Sequence, residues 1–230
     1  MHAPSRVADT GGTERVPDET TRRYAVRTWW EERVLPRLVD VALNDAVANR
    51  WRTLVCDEIA GVVLEVGFAT GKNLPFYPTS VREVLAVEPA DLAWDLATRR
   101  IEAFAPPVTR IGLDGASLSL PDDSVDVVVS TWTMCTIPDL EQAIAEFRRV
   151  LRSGGTVRFV EHVAAAHPRA RRIQSRLQPV WGKVAGGCHL DRDIVAMLAA
   201  GGFDVRLLSP ADEGRFELVP FIAGVATPVR

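Results

Sequence analysis

Residues 62–73, VVLEVGFATGKN, constrain this chain more than any others. Val62, Val63, Leu64 and Val66 form the short apolar run of a strand covered on both faces, the mark of a parallel sheet. Glu65 interrupts that run, and a turn with glycines at 67 and 71 follows at once. Glycine lets backbone amides come close to a ligand. Ligands of open α/β sheets bind beyond the carboxyl ends of strands at the switch point, so strand and turn together mark a binding site.

About twenty residues later a second apolar run ends in Glu88, placed where an acid accepts hydrogen bonds from both hydroxyls of a ribose. The dinucleotide fingerprint needs three glycines, but Ala69 stands in the second place and Lys72 in the third. That spacing argues against NAD or FAD.

Strand-like runs recur at 62–66, 84–88, 108–112, 125–130, 156–162, 205–208 and 221–226, with helical stretches between them, so a doubly wound α/β sheet is predicted. Asp91 is expected to cap a helix over 92–104, and Asp139, with Gln142 three residues on, a helix to 151 that Gly154 and Gly155 end. Asp191 is expected to cap a helix to 200, stopped by Gly201 and Gly202. Upstream, residues 1–21 are rich in Pro, Gly, Thr and charge and read as a loose tail. From 22 to 60, apolar residues such as Trp30, Val34, Leu38, Val41, Trp51 and Val55 recur at spacings near three and four, with Pro36 starting or kinking a helix. These helices either cover a sheet edge or close over the ligand.

A chain of 230 residues, 47% apolar, can bury one substantial α/β core. Its net charge of -3 offers no general attraction to nucleic acid. Cys56, Cys135 and Cys188 lie far apart with no paired metal-ligand spacing, so a reducing compartment and no metal are expected. No secretory leader pattern opens the chain and no apolar run reaches the ~20 residues of a membrane span, which predicts a cytoplasmic location.

From Asp114 the chain reads DGASLSLPDDSVDVVVSTWTMCTIPDLEQAIAEFRRVLRSGGTVRFVEH. Taken in order, the glycine turn, the acid at 88, the Asp114 segment, the fourth strand, the helix ending RRVLRSGG and the strand after it resemble the class I S-adenosylmethionine-dependent methyltransferases. The resemblance covers about 61–163 and is of the type 11 or ubiquinone-biosynthesis kind. The EHV at 161–163 and the later GGCHLDRD are similar to the microsomal thiol S-methyltransferases of animals and their bacterial relatives. The animal proteins begin with a hydrophobic anchor that this sequence does not show.

The resemblance implies a Rossmann-like seven-stranded sheet, mostly parallel with an antiparallel last strand, helices on both faces and an N-terminal helical cap. It implies a methyltransferase domain over 61–230 with a substrate-side insertion at 163–190. S-adenosylmethionine is the implied cofactor. Its implied contacts are Glu65, Gly67, Phe68, Ala69, Thr70, Gly71 and Asn73 for the methionine end and loop, Glu88 and Pro89 for the ribose, Asp114 and Gly115 for the adenine, and Ser130 and Thr131 at the end of the fourth strand. For Glu65 an internal salt bridge is the alternative to the cofactor's ammonium, and Asp114 could instead cap a turn at Gly115.

Methyl transfer from a sulfonium asks mainly for alignment and exclusion of water. His162, at the carboxyl end of the fifth strand, is the candidate base, against the alternative of a structural histidine. Tyr24, Trp30, Trp132, Cys188 and His189 are the further candidates for the acceptor side. The stretch 163–190 holds Arg169, Arg171, Arg172, Arg176 and Lys183 with interleaved Leu177, Val180, Trp181 and Val184 and no carboxylate. It reads as a solvated helix face, as a holder of an anionic group, or as a weak membrane-surface contact over 168–184. A small or lipid-like acceptor is therefore expected. A soluble thiol, a phospholipid or quinone precursor, and a non-catalytic binding role are the competing readings.

Overall fold

A computed structural model describes residues 29–43, 45–209 and 218–229. The expected tail, Tyr24 and the start of the first helical stretch lie outside the described residues. A π-helical turn, Trp30–Val34, leads into α1 (Leu35–Ala42), with Pro36 in its first turn where a missing N–H costs nothing. After α2 (Ala46–Cys56) come β1 (Gly61–Val66), β2 (Val81–Val87), α3 (Asp91–Ala103), β3 (Val108–Gly112), β4 (Val125–Thr131), α4 (Leu140–Val150) and β5 (Leu151–His162). The chain closes with α5 (Pro168–Val184), α6 (Ile194–Ala200), β6 (Phe203–Ser209) and β7 (Phe221–Pro228).

The strands form one seven-stranded sheet in the order β3-β2-β1-β4-β5-β7-β6. β1 to β5 pair in parallel, while β7 runs antiparallel to both β5 and β6. The strand order reverses direction between β1 and β4, which fixes the switch point there. Alternate residues of β1 face opposite layers: Leu64 and Val66 pack with Phe147 of α4 and Ile194 of α6, Val63 with Val55 of α2 and Ala97 of α3. Helix α4 is held by the stripe Leu140, Ala143, Ile144, Phe147 and Val150, all buried.

Asp139 caps α4 as expected, accepting from the Gln142 N–H at 3.2 Å. Three local expectations are corrected. Asp91 is the first residue of α3 and pairs with Arg110 at 2.8 Å instead of capping. Gly154 and Gly155 lie within β5, not at the end of α4, because Leu151 already pairs with Val125 across a bulge. Asp193, two residues past Asp191, caps α6 through the Ala196 N–H at 3.0 Å. Among the described residues no helix is long and apolar enough to cross a membrane.

Candidate active site at the β1–β4 switch point

The loop after β1 takes a left-handed backbone three times, at Gly67 (φ 78°), Ala69 (φ 48°) and Gly71 (φ 71°). A side chain at Gly67 would run into Thr133 of the loop after β4, so glycine there lets the two loops meet. Phe68 points back into the core against Trp94, with ring centroids 5.3 Å apart. Asp40 of α1, which the sequence reading missed, ties the roof of the site to this loop. It accepts from Thr70 Oγ1 at 2.6 Å and pairs with Lys72 at 3.2 Å and Arg100 at 3.8 Å.

Under that roof lies a small cavity of about 100 Å³, reached by Glu65, Asn73, Arg52, Thr131 and Trp132. Glu65 is 1% exposed and accepts from Asn73 Nδ2 at 2.9 Å and Tyr77 Oη at 2.6 Å. Burial pushes its carboxyl up to about 8, against the pull of those two hydrogen bonds and of Arg52. Three buried polar atoms here have no partner: the acceptor Asn73 Oδ1 and the donors Arg52 Nε and Trp132 Nε1. An unpaired acceptor beside a buried carboxylate suits an ammonium group, and unpaired donors beside them suit a carboxylate. The residues present therefore fit the amino-acid end of the implied cofactor. Thr131 Oγ1 accepts from Asn73 Nδ2 at 3.0 Å at the edge of this cavity. Ser130 is fully buried and gives its hydroxyl to Glu161 at 3.0 Å, so the structure does not bring its side chain to either cavity.

A larger cavity of about 540 Å³ opens beside the first, with Ala69, Glu88 and Pro89 at one end and His162, Trp181 and Cys188 at the other. Glu88 is pinned by the Ala69 and Ala90 N–H groups, each at 2.7 Å, one on each carboxylate oxygen. A carboxylate oxygen carries more than one acceptor site, so an N–H on it does not by itself exclude a ribose hydroxyl. Asp114 stands apart, lining a separate hollow with Pro138, Asp139 and Arg192, and its carboxylate caps its own turn by accepting from the Ala116 N–H at 2.7 Å. Gly115 lies against Val66, 2.9 Å from where a Cβ would sit.

Trp132 lines both cavities, in a left-handed backbone (φ 54°), with the Arg52 guanidinium 5.0 Å over its ring. Trp30 does not line the cavity but donates to the Val184 carbonyl at 2.8 Å, joining the N-terminal helices to α5. His189 sits outside the lining, its N–H bonded to the Cys135 carbonyl at 2.9 Å. His162 Nε2 faces Cys188 Sγ at 2.9 Å, and Cys188 Sγ is 3.7 Å from Cys135 Sγ. Only Cys56 keeps the isolation expected of all three cysteines. The contact with Cys135, and after it His162, holds the Cys188 thiol below the usual range.

Glu161 organises this end of the site. It is fully buried and accepts from Ser130 Oγ at 3.0 Å and from the N–H groups of Thr133 and Met134 at 2.9 Å and Cys135 at 3.3 Å. Its place beside His162 in the EHV stretch was a signal for it, but the sequence does not show what it binds.

Comparisons place this geometry among known proteins. The family model described as "Methyltransferase domain" matches residues 64–159. Over 176 residues the chain is 34% identical to a human protein named thiol S-methyltransferase TMT1A, covering 71% of each. It is 35% identical over 109 residues to the phosphatidylethanolamine N-methyltransferase of Cereibacter sphaeroides, covering 45% of this chain and 52% of that one. Among solved structures, the YcgJ protein of Bacillus subtilis is similar with a TM-score of 0.64 at 16% identity, over 80% of this chain and 98% of that one, a likeness of fold.

Proposed function

We propose that this chain, which belongs to the class I S-adenosylmethionine-dependent methyltransferases, methylates a small-molecule thiol. The observation that carries the acceptor reading is the inner end of the larger cavity, where Cys188 and His162 stand against apolar walls formed by Trp181, Val219 and Phe221. Among the described residues lining that cavity the carboxylate is Glu88, which lies at the opposite, ribose end. A thiol, with an ordinary pKa of about 8.5, needs only modest help to ionise. The thiol named for the human relative supports the same reading.

S-adenosylmethionine supplies, when bound, a methyl group on a sulfonium that leaves readily. The residues of this chain bind and align. Glu65, Asn73 and Arg52 would hold the amino-acid end, Glu88 the ribose, and the glycine loop would admit backbone amides to the ligand. Asp114 would reach the adenine only from its neighbouring hollow. His162, whose Nε2 faces Cys188 in the ligand-free cavity, would take the acceptor's proton, and α1 and Trp132 would help to shut out water above.

The test is a screen with methyl-labelled S-adenosylmethionine against alkyl thiols, amines, phenols and phosphatidylethanolamine vesicles, with products identified by mass. Thioethers are the expected products. Methylated lipid or amine with no thioether would overturn the thiol reading. A membrane-surface variant of the reading is favoured by the outer face of α5, where Leu177, Val180 and Val184 are exposed among Arg171, Arg172 and Arg176. It requires thiol turnover to rise when anionic vesicles are added and to fall again with salt. A cytoplasmic location is part of the same proposal.

The small cavity adds a prediction about protons. With its carboxyl at about 8, Glu65 is mostly protonated at neutral pH before ligand binds. An ammonium placed beside Asn73 Oδ1 favours the carboxylate, so binding of S-adenosylhomocysteine should release close to one proton near pH 7. Affinity should then rise with pH up to about 8. The groups facing Glu65 are Tyr77, Asn73, Arg52 and Cys56, with Glu88 beyond, and none of the charged ones reverses that sign. The ligand-free fold binds a proton that the unfolded chain does not, so its stability falls as pH rises from about 4.3 through the raised value. Calorimetry in buffers of differing ionisation enthalpy measures the released proton, and Glu65→Gln should abolish it. No proton release in the wild type would sink the assignment of the ammonium to this corner.

A further inference from the structure

We infer that Cys135, His162 and Cys188 form a binding site for a thiophilic divalent cation, Zn²⁺, whose open fourth position faces the larger cavity and takes the sulfur of the acceptor. The metal site stands on its own geometry, while the identity of the fourth ligand rests on the thiol reading above. Far apart in sequence, the three residues are brought together by the loop after β4, the end of β5 and the turn after α5. One donor atom from each lies within 4.8 Å of the others, and all three residues are buried.

The spacing suits zinc. Two sulfurs on a tetrahedral zinc at about 2.3 Å lie about 3.8 Å apart. Here the sulfurs of Cys135 and Cys188 are 3.7 Å apart without any metal. The His162–Cys188 contact of 2.9 Å has to open by about 0.7 Å to reach the sulfur–nitrogen edge of such a site. Two thiolates and an imidazole are soft donors that select zinc over magnesium or calcium. Glu161 supplies the outer support: it fixes the Cys135 backbone through its N–H at 3.3 Å, and its carboxylate also reaches the Cys135 thiol.

All three residues also line the larger cavity, so a metal among them keeps a face open to it. Three protein ligands with an open fourth position is the arrangement of catalytic rather than structural zinc. When a thiol occupies that position its S–H proton passes to solvent and its sulfur stays as a metal-bound thiolate. Nothing is oxidised or reduced. The metal then replaces free imidazole as the group that ionises the acceptor, and His162 becomes a ligand.

The test uses the reduced full chain, given one equivalent of Zn²⁺ and freed of loose metal by gel filtration before elemental analysis. About one ion per chain is expected to remain. Cys135→Ser and Cys188→Ser should each weaken zinc binding about a hundredfold or more, while Cys56→Ser, outside the cluster, should keep it. The cobalt-substituted protein should show sulfur-to-cobalt absorption that shifts when 2-mercaptoethanol is added, a readout that needs neither cofactor nor turnover. Zinc-free wild type after this loading, isolation of Cys135 and Cys188 as a disulfide that excludes metal, or equal zinc in all three variants would overturn the site. Full thioether formation by chelator-stripped protein would overturn the metal's role while leaving the thiol reading intact. Zinc retained with no thiol methylated, and no cobalt shift, would overturn the fourth ligand and the thiol reading together.

Discussion

Glu161→Ala should cost this protein about 4 kcal/mol or more of stability, read as a lower urea midpoint at unchanged slope. The substitution removes the acceptor of four buried donors: Ser130 Oγ and the backbone N–H groups of Thr133, Met134 and Cys135. Each buried donor left unpaired costs about 1–3 kcal/mol, and the whole fold has only about 5–15 kcal/mol to lose. Burial raises the carboxyl of Glu161, so part of the loss is returned when the charge is removed. Glu161→Gln separates the two effects. Three of the donors point at Oε1, which an amide oxygen can replace, while Cys135 alone points at Oε2, where an amide nitrogen would oppose its N–H. Stability should rank wild type, then Gln, then Ala. An Ala variant within about 1 kcal/mol of wild type would mean that water or the loop itself can satisfy these donors.

Glu88→Ala should weaken binding of S-adenosylhomocysteine tenfold to a hundredfold, the equivalent of about 1.5–3 kcal/mol for hydrogen bonds to a charged group. Its carboxylate is already fixed by Ala69 and Ala90, so no side-chain freedom has to be lost when hydroxyls arrive. The same two N–H groups make a control necessary, because their loss of a partner can disturb the glycine loop. Glu88→Gln keeps an acceptor on one side and should fall between the wild type and Ala. A folded Ala variant with an unchanged dissociation constant places the ribose elsewhere.

What the sequence made legible is what is local. The strand into the glycine turn and the acid closing the next strand are each written within a dozen residues, and backbone geometry follows from residue type at that range. The apolar alternation likewise predicted the seven strands, each within a few residues of its observed bounds except β5. Helix caps were readable only to within a residue or two, since Asp191 and Asp193 offer the same chemistry and packing chose the second. Asp114 kept its alternative reading as a turn cap. The acceptor end was hidden for a different reason. Cys135 and Cys188 are 53 positions apart, and no spacing rule anticipates that a helix inserted between them folds one back onto the other. Asp40 was equally hidden, because its partners Thr70 and Lys72 lie on the loop after β1 and Arg100 lies farther on, in α3.

That roof has a kinetic consequence. Pro36, Val39 and Asp40 form one wall of the small cavity, and Asp40 is held from below by Thr70, Lys72 and Arg100. An amino-acid group seated on Glu65 and Asn73 would lie under that wall, whose contacts are made within the protein. Asp40 is therefore expected to bear on how long a ligand stays more than on how tightly it is held, to be read as matched changes in the association and dissociation rates of S-adenosylhomocysteine in Asp40→Asn. Loosening that one carboxylate should quicken arrival and departure alike, leaving the equilibrium between them nearly where it was.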